Sequence, residues 1–264
     1  LVVTAFIAGL VCFVIAVIGL SRRRSPMRFA PPAAGGSVYL ETFALFMAAF
    51  LLVKLVAGLL APIVGTAVLG LQWLLLLVAL WPLARGVSWG EHRRAIGWTG
   101  GKGFFREVAC GVFGYLAALP IFALAIVLVL IMMLVRGLVS GEDAAPANNP
   151  ILETIGNGSP LVIALIVALA TMWAPLAEES VFRGALFRHL RGRMHWVAAG
   201  LLSAVAFAVV HNYGLLLTPP LIALGFAFAA MREWRGSLIA PMTAHLLHNG
   251  TIMLVVVLAI SITR

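Results

Sequence analysis

Residues 161–184 read LVIALIVALATMWAPLAEESVFRG. Seventeen uncharged, mostly apolar positions (161–177) run into two adjacent carboxylates, Glu178 and Glu179, with Arg183 four residues after the second. About 20 apolar residues rising about 1.5 Å each cross roughly 30 Å of hydrocarbon, so a run of this kind is a membrane helix that ends on charge. The same rule, worked outward from this helix at 160–177, predicts others near 1–20, 38–60, 63–83 and 108–135 on one side. On the other side it predicts helices near 195–211, 215–231 and 238–262, of which 215–231 is short and begins across Pro219-Pro220. The fold class that follows is all-α, a polytopic membrane bundle of about eight transmembrane helices.

Composition agrees. Of 264 residues, 63% are hydrophobic and 10% are charged, and the mean hydropathy is +1.10. A soluble domain is about half apolar and about a quarter charged, so this chain has too little charge to cover a water-facing surface. Its net charge of +9 does not indicate a nucleic-acid partner. Nucleic-acid binders gather Lys and Arg on one solvated face, whereas here the basic residues fall in short clusters between apolar runs. The expected partners are the lipid bilayer and a membrane-associated peptide or protein, with no nucleic acid.

Those clusters alternate. Arg22, Arg23, Arg24 and Arg28 follow the first helix, and Arg85, Arg93, Arg94, Lys102 and Arg106 follow the third. Arg183, Arg188, Arg191 and Arg193 follow the fifth, and Arg232 and Arg235 the seventh. Fifteen of the 18 Lys and Arg thus share one side, which the positive-inside bias makes cytoplasmic, with both termini outside. The loop at 136–159 carries Glu142, Asp143 and Glu153 against Arg136 alone. Residues 1–20 lack a basic leader and a small-residue cleavage site, so they are expected to form a membrane helix rather than a signal peptide. Cys12 and Cys110 sit in or beside apolar runs and are expected to pack as free thiols. The Pro-, Gly- and Asn-rich stretch 141–160 is the one linker-like segment. It divides residues 1–150, membrane helices without diagnostic motifs, from residues 151–264, which hold the catalytic residue types.

An ionisable group at the centre of a membrane helix costs about 2.5–3.5 kcal/mol on insertion scales and is a functional hypothesis by default. After residue 170 such groups form a pattern. Glu178 and Glu179 cannot both ionise cheaply at an apolar helix end. Arg183, at i+4 from Glu179, can pair with it along one helix face and leave Glu178 free as a general base. The bland alternative is an interfacial acidic pair answered by the Arg cluster. Phe207 and His211 lie one turn apart at the end of the next apolar helix, where a neutral imidazole holds a water or a metal, or is a hydrogen-bonded structural residue. His245 and Asn249, again at i and i+4, project into one space as donors for an oxyanion, with His248 beside them. Together the three groups suggest a water activated by Glu178 and His211, attack on a peptide carbonyl, and oxyanion stabilisation by His245 and Asn249.

The ordered set EExxxR (Glu178, Glu179, Arg183), FxxxH (Phe207, His211) and HxxxN (His245, Asn249) resembles the CAAX protease and bacteriocin-processing (CPBP, or Abi) family of intramembrane endopeptidases, which includes the type II CAAX prenyl proteases. Each motif is weak alone; the set in order is strong, and the resemblance covers roughly residues 155–260. It implies a helical-bundle protease of the cell membrane with its site toward the cytoplasmic side. Glu178 would be the base, His211 its partner on the water, and His245 and Asn249 the oxyanion donors. Glu179, Arg183 and Phe207 would support them. Members are often called metalloproteases, and Glu178, His211 and His245 are the residues that could hold zinc. Asn is a poor zinc ligand and no HExxH is present, so no obligatory metal is expected.

Other signals carry less. Gly86-Val87-Ser88-Trp89-Gly90 matches a nucleophile elbow, but such an elbow needs a strand-turn-helix context and this one lies in a basic loop. Lys54, mid-span in the second helix, could snorkel, pair with Glu41 or contact substrate. Two readings from other classes compete with the protease. A proton-coupled transporter also places Glu and His in membranes, but it usually has inverted repeats, and none is visible. A catalytically silent scaffold or immunity protein on the same fold is separated from an enzyme by an activity assay.

Overall fold

In hydrocarbon every backbone N–H and C=O must find its partner inside the protein, so apolar runs of this length cross as helices. The computed structural model describes residues 2–21, 36–140, 154–156 and 158–263, and among these it contains helices and turns and no strand. Helix α1 spans Val2–Ser21 and α2 spans Val38–Val64. The next, α3, is a 3-10 run, Gly65–Leu80, that continues into Trp81–Ala84. A short α4 (Trp89–Ile96) precedes the long α5 (Phe104–Ser140). Then follow α6 (Pro160–Arg191), α7 (Trp196–His211), α8 (Thr218–Arg235) and α9 (Ile239–Thr263).

Five runs are long and apolar enough to cross a membrane, and Val3–Gly19 and Trp196–His211 are shorter apolar helices. One of the five, Val38–Ala84, is a hairpin. The chain reverses at Gly65, whose φ of 58° lies in the left-handed region that glycine enters without a steric penalty. As a result Glu41, at the start of α2, meets Trp81 Nε1 at 3.1 Å and Arg85 Nε at 3.2 Å, both beyond the far end of the Gly65–Leu80 run. A 3-10 helix rises about 2.0 Å per residue, so a run of this length reaches about 32 Å where an α-helix would reach about 24 Å. Counting the hairpin twice and adding the two shorter apolar helices, the described residues hold eight apolar helices, which overlap the eight expected places.

The distribution of side chains is that of a protein solvated by lipid. Leu51, Leu59 and Ile63 are 66%, 67% and 78% exposed, while Glu179 and Arg183 are fully buried. The described basic segments gather at one end. Arg235 forms a two-pronged pair with Glu107, at 2.8 and 2.6 Å. Arg232 donates to Ala95 O, and the α8–α9 turn is tied to the loop after α4 by Leu238 N to Gly97 O and Ser237 Oγ to Thr99 O. Arg191 pairs with Glu233 at 3.1 Å. Arg22, Arg23, Arg24 and Arg28, and the linker with Glu142, Asp143 and Glu153, lie outside the described residues. Ser88 is accounted for here: with Glu91 it forms a reciprocal cap that starts α4, which is a structural use for the hydroxyl of the elbow-like motif. Burial holds the neighbouring His92, on the same short helix, below the usual histidine range.

Candidate active site

Two stretches of α6, Leu169–Trp173 and Glu179–Leu186, are wound as π-helix. Such turns shift the helical ladder and leave carbonyls in need of donors. In the first, Ala174 N reaches back to Leu169 O. On the same i+5 step Ala170 O would need the N–H of residue 175, which is a proline and has none. Asn249 Nδ2 of α9 supplies that bond at 2.8 Å. In the second stretch, Ser203 Oγ of α7 donates to Phe182 O at 3.0 Å. The distorted helix is therefore stitched to α7 and α9, the helices that carry the other two motifs.

The three motifs come together. Glu178 Oε2 lies 3.7 Å from His211 Nε2 and 3.9 Å from His245 Nε2. His211 Nδ1 donates to Phe207 O one turn earlier, at 2.7 Å, and His245 Nδ1 donates to Glu179 Oε1 at 2.8 Å. Both of these partners are acceptors, so each neutral ring carries its proton on Nδ1 and turns the Nε2 lone pair toward Glu178. Three acceptors converge with no donor among them, a constellation that a water, a proton or a cation satisfies. Glu178 Oε2 is itself buried and has no hydrogen bond from the protein.

Glu179 has a different environment. It is fully buried and receives Arg183 Nη1 at 3.0 Å as well as His245 Nδ1. Arg183 is equally buried, donates Nη2 to Gly225 O at 3.0 Å, and lies over the rings of Phe207 (4.5 Å) and Phe228 (5.2 Å). Phe207 in turn packs edge-on to Phe182 and beside His211. Gly225 permits the approach of α8: a Cβ there would stand 3.0 Å from Ala204 Cα and 3.1 Å from Arg183 Nη2. Gly225→Val is expected to lower the melting temperature of the purified protein and to reduce any activity, because overpacking at such a contact typically costs about 1–3 kcal/mol. An unchanged melting temperature would refute that reading.

The site opens into a cavity of about 870 Å³. Its inner end holds Glu178, His211, His245 and Asn249, and His248 also lines it, packed against Tyr115 and Phe122. Part of the wall comes from residues 1–150: Phe46, Phe50 and Lys54 of α2, Leu69 and Gln72 of α3, and Arg136 of α5. Sequence reasoning passed over these residues, apart from noting Lys54 and placing Arg136 in the 136–159 loop, because aromatic and aliphatic side chains in a membrane helix look alike whether they face lipid or a cavity. The signal available was the polar side chains Lys54, Gln72 and Arg136 in or at the end of apolar runs. None of the lining residues belongs to the basic segments around 85–106, 188–193 or 232–235. Lys54 lies in the half of α2, and Arg136 near the end of α5, remote from those segments, while Gln72 is midway along the Gly65–Leu80 run.

The donor types of Glu178, His211 and His245 suit zinc, but their spacing does not. Ligands about 2.0–2.1 Å from a tetrahedral zinc stand about 3.3–3.4 Å apart, closer than the 3.7 and 3.9 Å separations here. Among the described residues no group of three or more His, Cys, Asp or Glu is arranged to hold a metal ion.

Residues 160–251 match the family model of the Rce1-like type II CAAX prenyl endopeptidases. The membrane-embedded CAAX protease MroQ of Staphylococcus aureus (strain USA300) is 27% identical over 139 residues, 50% of this chain and 54% of MroQ. YdiL of Bacillus subtilis (strain 168), whose name assigns it provisionally to the membrane peptidases, is 30% identical over 95 residues, 35% of this chain and 37% of YdiL. The uncharacterized protein YpbD of the same strain is 33% identical over 79 residues, 30% of this chain and 39% of YpbD. The chain thus spans between about a third and about half of the length of these relatives. No solved structure matches it. The resemblance drawn from the three motifs is borne out by the family match and by the named relatives.

Proposed function

We propose, from the premise that residues 160–251 are an Rce1-like type II CAAX endopeptidase region, that the chain is an intramembrane endopeptidase hydrolysing a peptide bond of a membrane-associated peptide or protein. The observation that carries the reading is the convergence of Glu178 Oε2 with the Nε2 atoms of His211 and His245 at the inner end of a largely apolar cavity. Separations of 3.7 and 3.9 Å are too long for direct hydrogen bonds and suit a bridging water.

In this scheme the water donates one proton to Glu178 and is oriented by His211 Nε2. Its oxygen attacks the scissile carbonyl carbon, and the carbonyl electron pair becomes the oxyanion. Asn249 spends one N–H on Ala170 O and keeps the second for that oxygen. His245 can donate from Nε2 only as an imidazolium, with its Nδ1–H held on Glu179 Oε1. Collapse of the tetrahedral species breaks the C–N bond, and the proton held by Glu178 passes to the leaving amine. The apolar walls exclude bulk water and strengthen each of these contacts.

Fifteen of the 18 Lys and Arg lie in the segments assigned to the cytoplasmic side. Arg136, near the end of α5 remote from those segments, lines the cavity, and this supports substrate access from the non-cytoplasmic half of the bilayer, whereas the family resemblance implies a site toward the cytoplasmic side. The reading is tested by cleavage of a broad peptide library with purified protein in detergent, comparing wild type with Asn249→Ala. The variant is expected to lose about 10²- to 10³-fold in kcat, the usual loss for one oxyanion donor, with a smaller change in KM. Absence of cleavage by the wild type would leave the scaffold reading in its place.

A further inference from the structure

Lys54 is an ionisable residue placed mid-span in a membrane helix for which the mechanism has no use. It is not paired with Glu41, which is occupied by Ser37, Trp81 and Arg85 at the opposite end of α2. Instead it continues a stripe. Phe46, Phe50 and Lys54 follow one another at i, i+4 and i+8 on one face of α2, all three line the cavity, and the Lys54 ammonium sits 4.7 Å above the Phe50 ring. Phe46 packs in the core cluster with Phe182 and Phe207, the rings beside the catalytic cluster. Eight residues of α-helix separate Phe46 from Lys54, a rise of about 12 Å along α2. Among the described residues that line the cavity, Glu178 is the one acidic side chain. Lys54 and Arg136 are the Lys and Arg side chains that line it among the described residues.

From this geometry we infer that Lys54 is a specificity-determining residue, which binds a carboxylate of the substrate at a position removed from the scissile bond. The inference rests on the endopeptidase reading for the position of that bond. A group held at Lys54 shares one continuous cavity with whatever lies at Glu178, and a single extended peptide spans both positions. The carboxylate can be a chain terminus or an Asp or Glu side chain; both present the same anion to an ammonium.

The test uses the full chain in detergent and two pairs of fluorescein-labelled apolar nonapeptides. One pair differs only in a free or amidated C-terminus, and the other only in Glu or Gln at one internal position. Binding is measured on Glu178→Gln protein, with and without Lys54→Gln, so that the result does not depend on turnover. Protein with Lys54 is expected to bind the carboxylate member of one pair about tenfold more tightly, and Lys54→Gln is expected to bring that ratio to about one. The pair that responds identifies the source of the carboxylate. Lys54→Glu is expected to reverse the preference toward a peptide with Lys at the same position. A ratio of one in the protein with Lys54, or a preference that survives Lys54→Gln, would overturn the inference. Equal weakening of both members of a pair would overturn it too, as a structural effect. In wild-type protein the same peptides report cleavage, so a carboxylate preference without hydrolysis would count against the endopeptidase reading alone.

Discussion

Glu178→Gln is expected to abolish peptide cleavage while leaving the bundle folded. The substitution keeps the size and the hydrogen-bonding outline of the side chain but removes the group that accepts a proton from water. General-base catalysis contributes about 10²- to 10⁴-fold, so residual turnover should fall beneath ordinary detection. Folding should be spared, because Glu178 Oε2 makes no hydrogen bond within the protein that the substitution could break. The measurement is cleavage by purified protein in detergent, with gel filtration and thermal unfolding alongside. Cleavage at the wild-type rate would sink the scheme in which Glu178 is the base. A chelator arm belongs to the same experiment, with wild-type cleavage expected to persist. Loss on chelation and recovery with zinc would instead make Glu178, His211 and His245 ligands.

Arg183→Ala should produce the largest loss of stability of any single change at the site. Arg183 and Glu179 are both fully buried, and Arg183 also holds Gly225 O on α8. Removing one partner of a buried pair strands the other charge, at a cost of about 3–5 kcal/mol. Here the stranded carboxylate would be Glu179, which also fixes His245. Arg183→Lys is expected to recover only part of the loss. An ammonium has no planar fork with which to meet Glu179 Oε1 and Gly225 O together, nor a flat face for the rings of Phe207 and Phe228. Thermal unfolding in detergent distinguishes the cases. If Arg183→Ala melts like the wild type, the pair is not holding α6 to α8.

The sequence alone determined that the chain is a polytopic helical bundle and where its helices lie. Hydrophobic length is a local property, and the thickness of the bilayer turns it into a span. The i, i+4 spacings of Glu179 with Arg183, Phe207 with His211, and His245 with Asn249 were legible for the same reason, since one helical turn relates the two members of each pair. What only the tertiary structure decided is how those turns meet. No local rule brings the Nε2 atoms of α7 and α9 onto one oxygen of α6, and none assigns Glu179 to His245 across 66 positions of sequence. The Asn249–Ala170 bond also depends on a π-turn and on Pro175, which matter only once α9 packs there. The contribution of the first half of the chain was hidden more completely. Phe46 and Leu51 lie five residues apart in one apolar helix, yet Phe46 is 2% exposed and Leu51 66%. Lipid and the interior of the bundle are equally apolar, so hydropathy cannot distinguish the two faces, and only the packing of α2 against α6 decides which residues line the cavity.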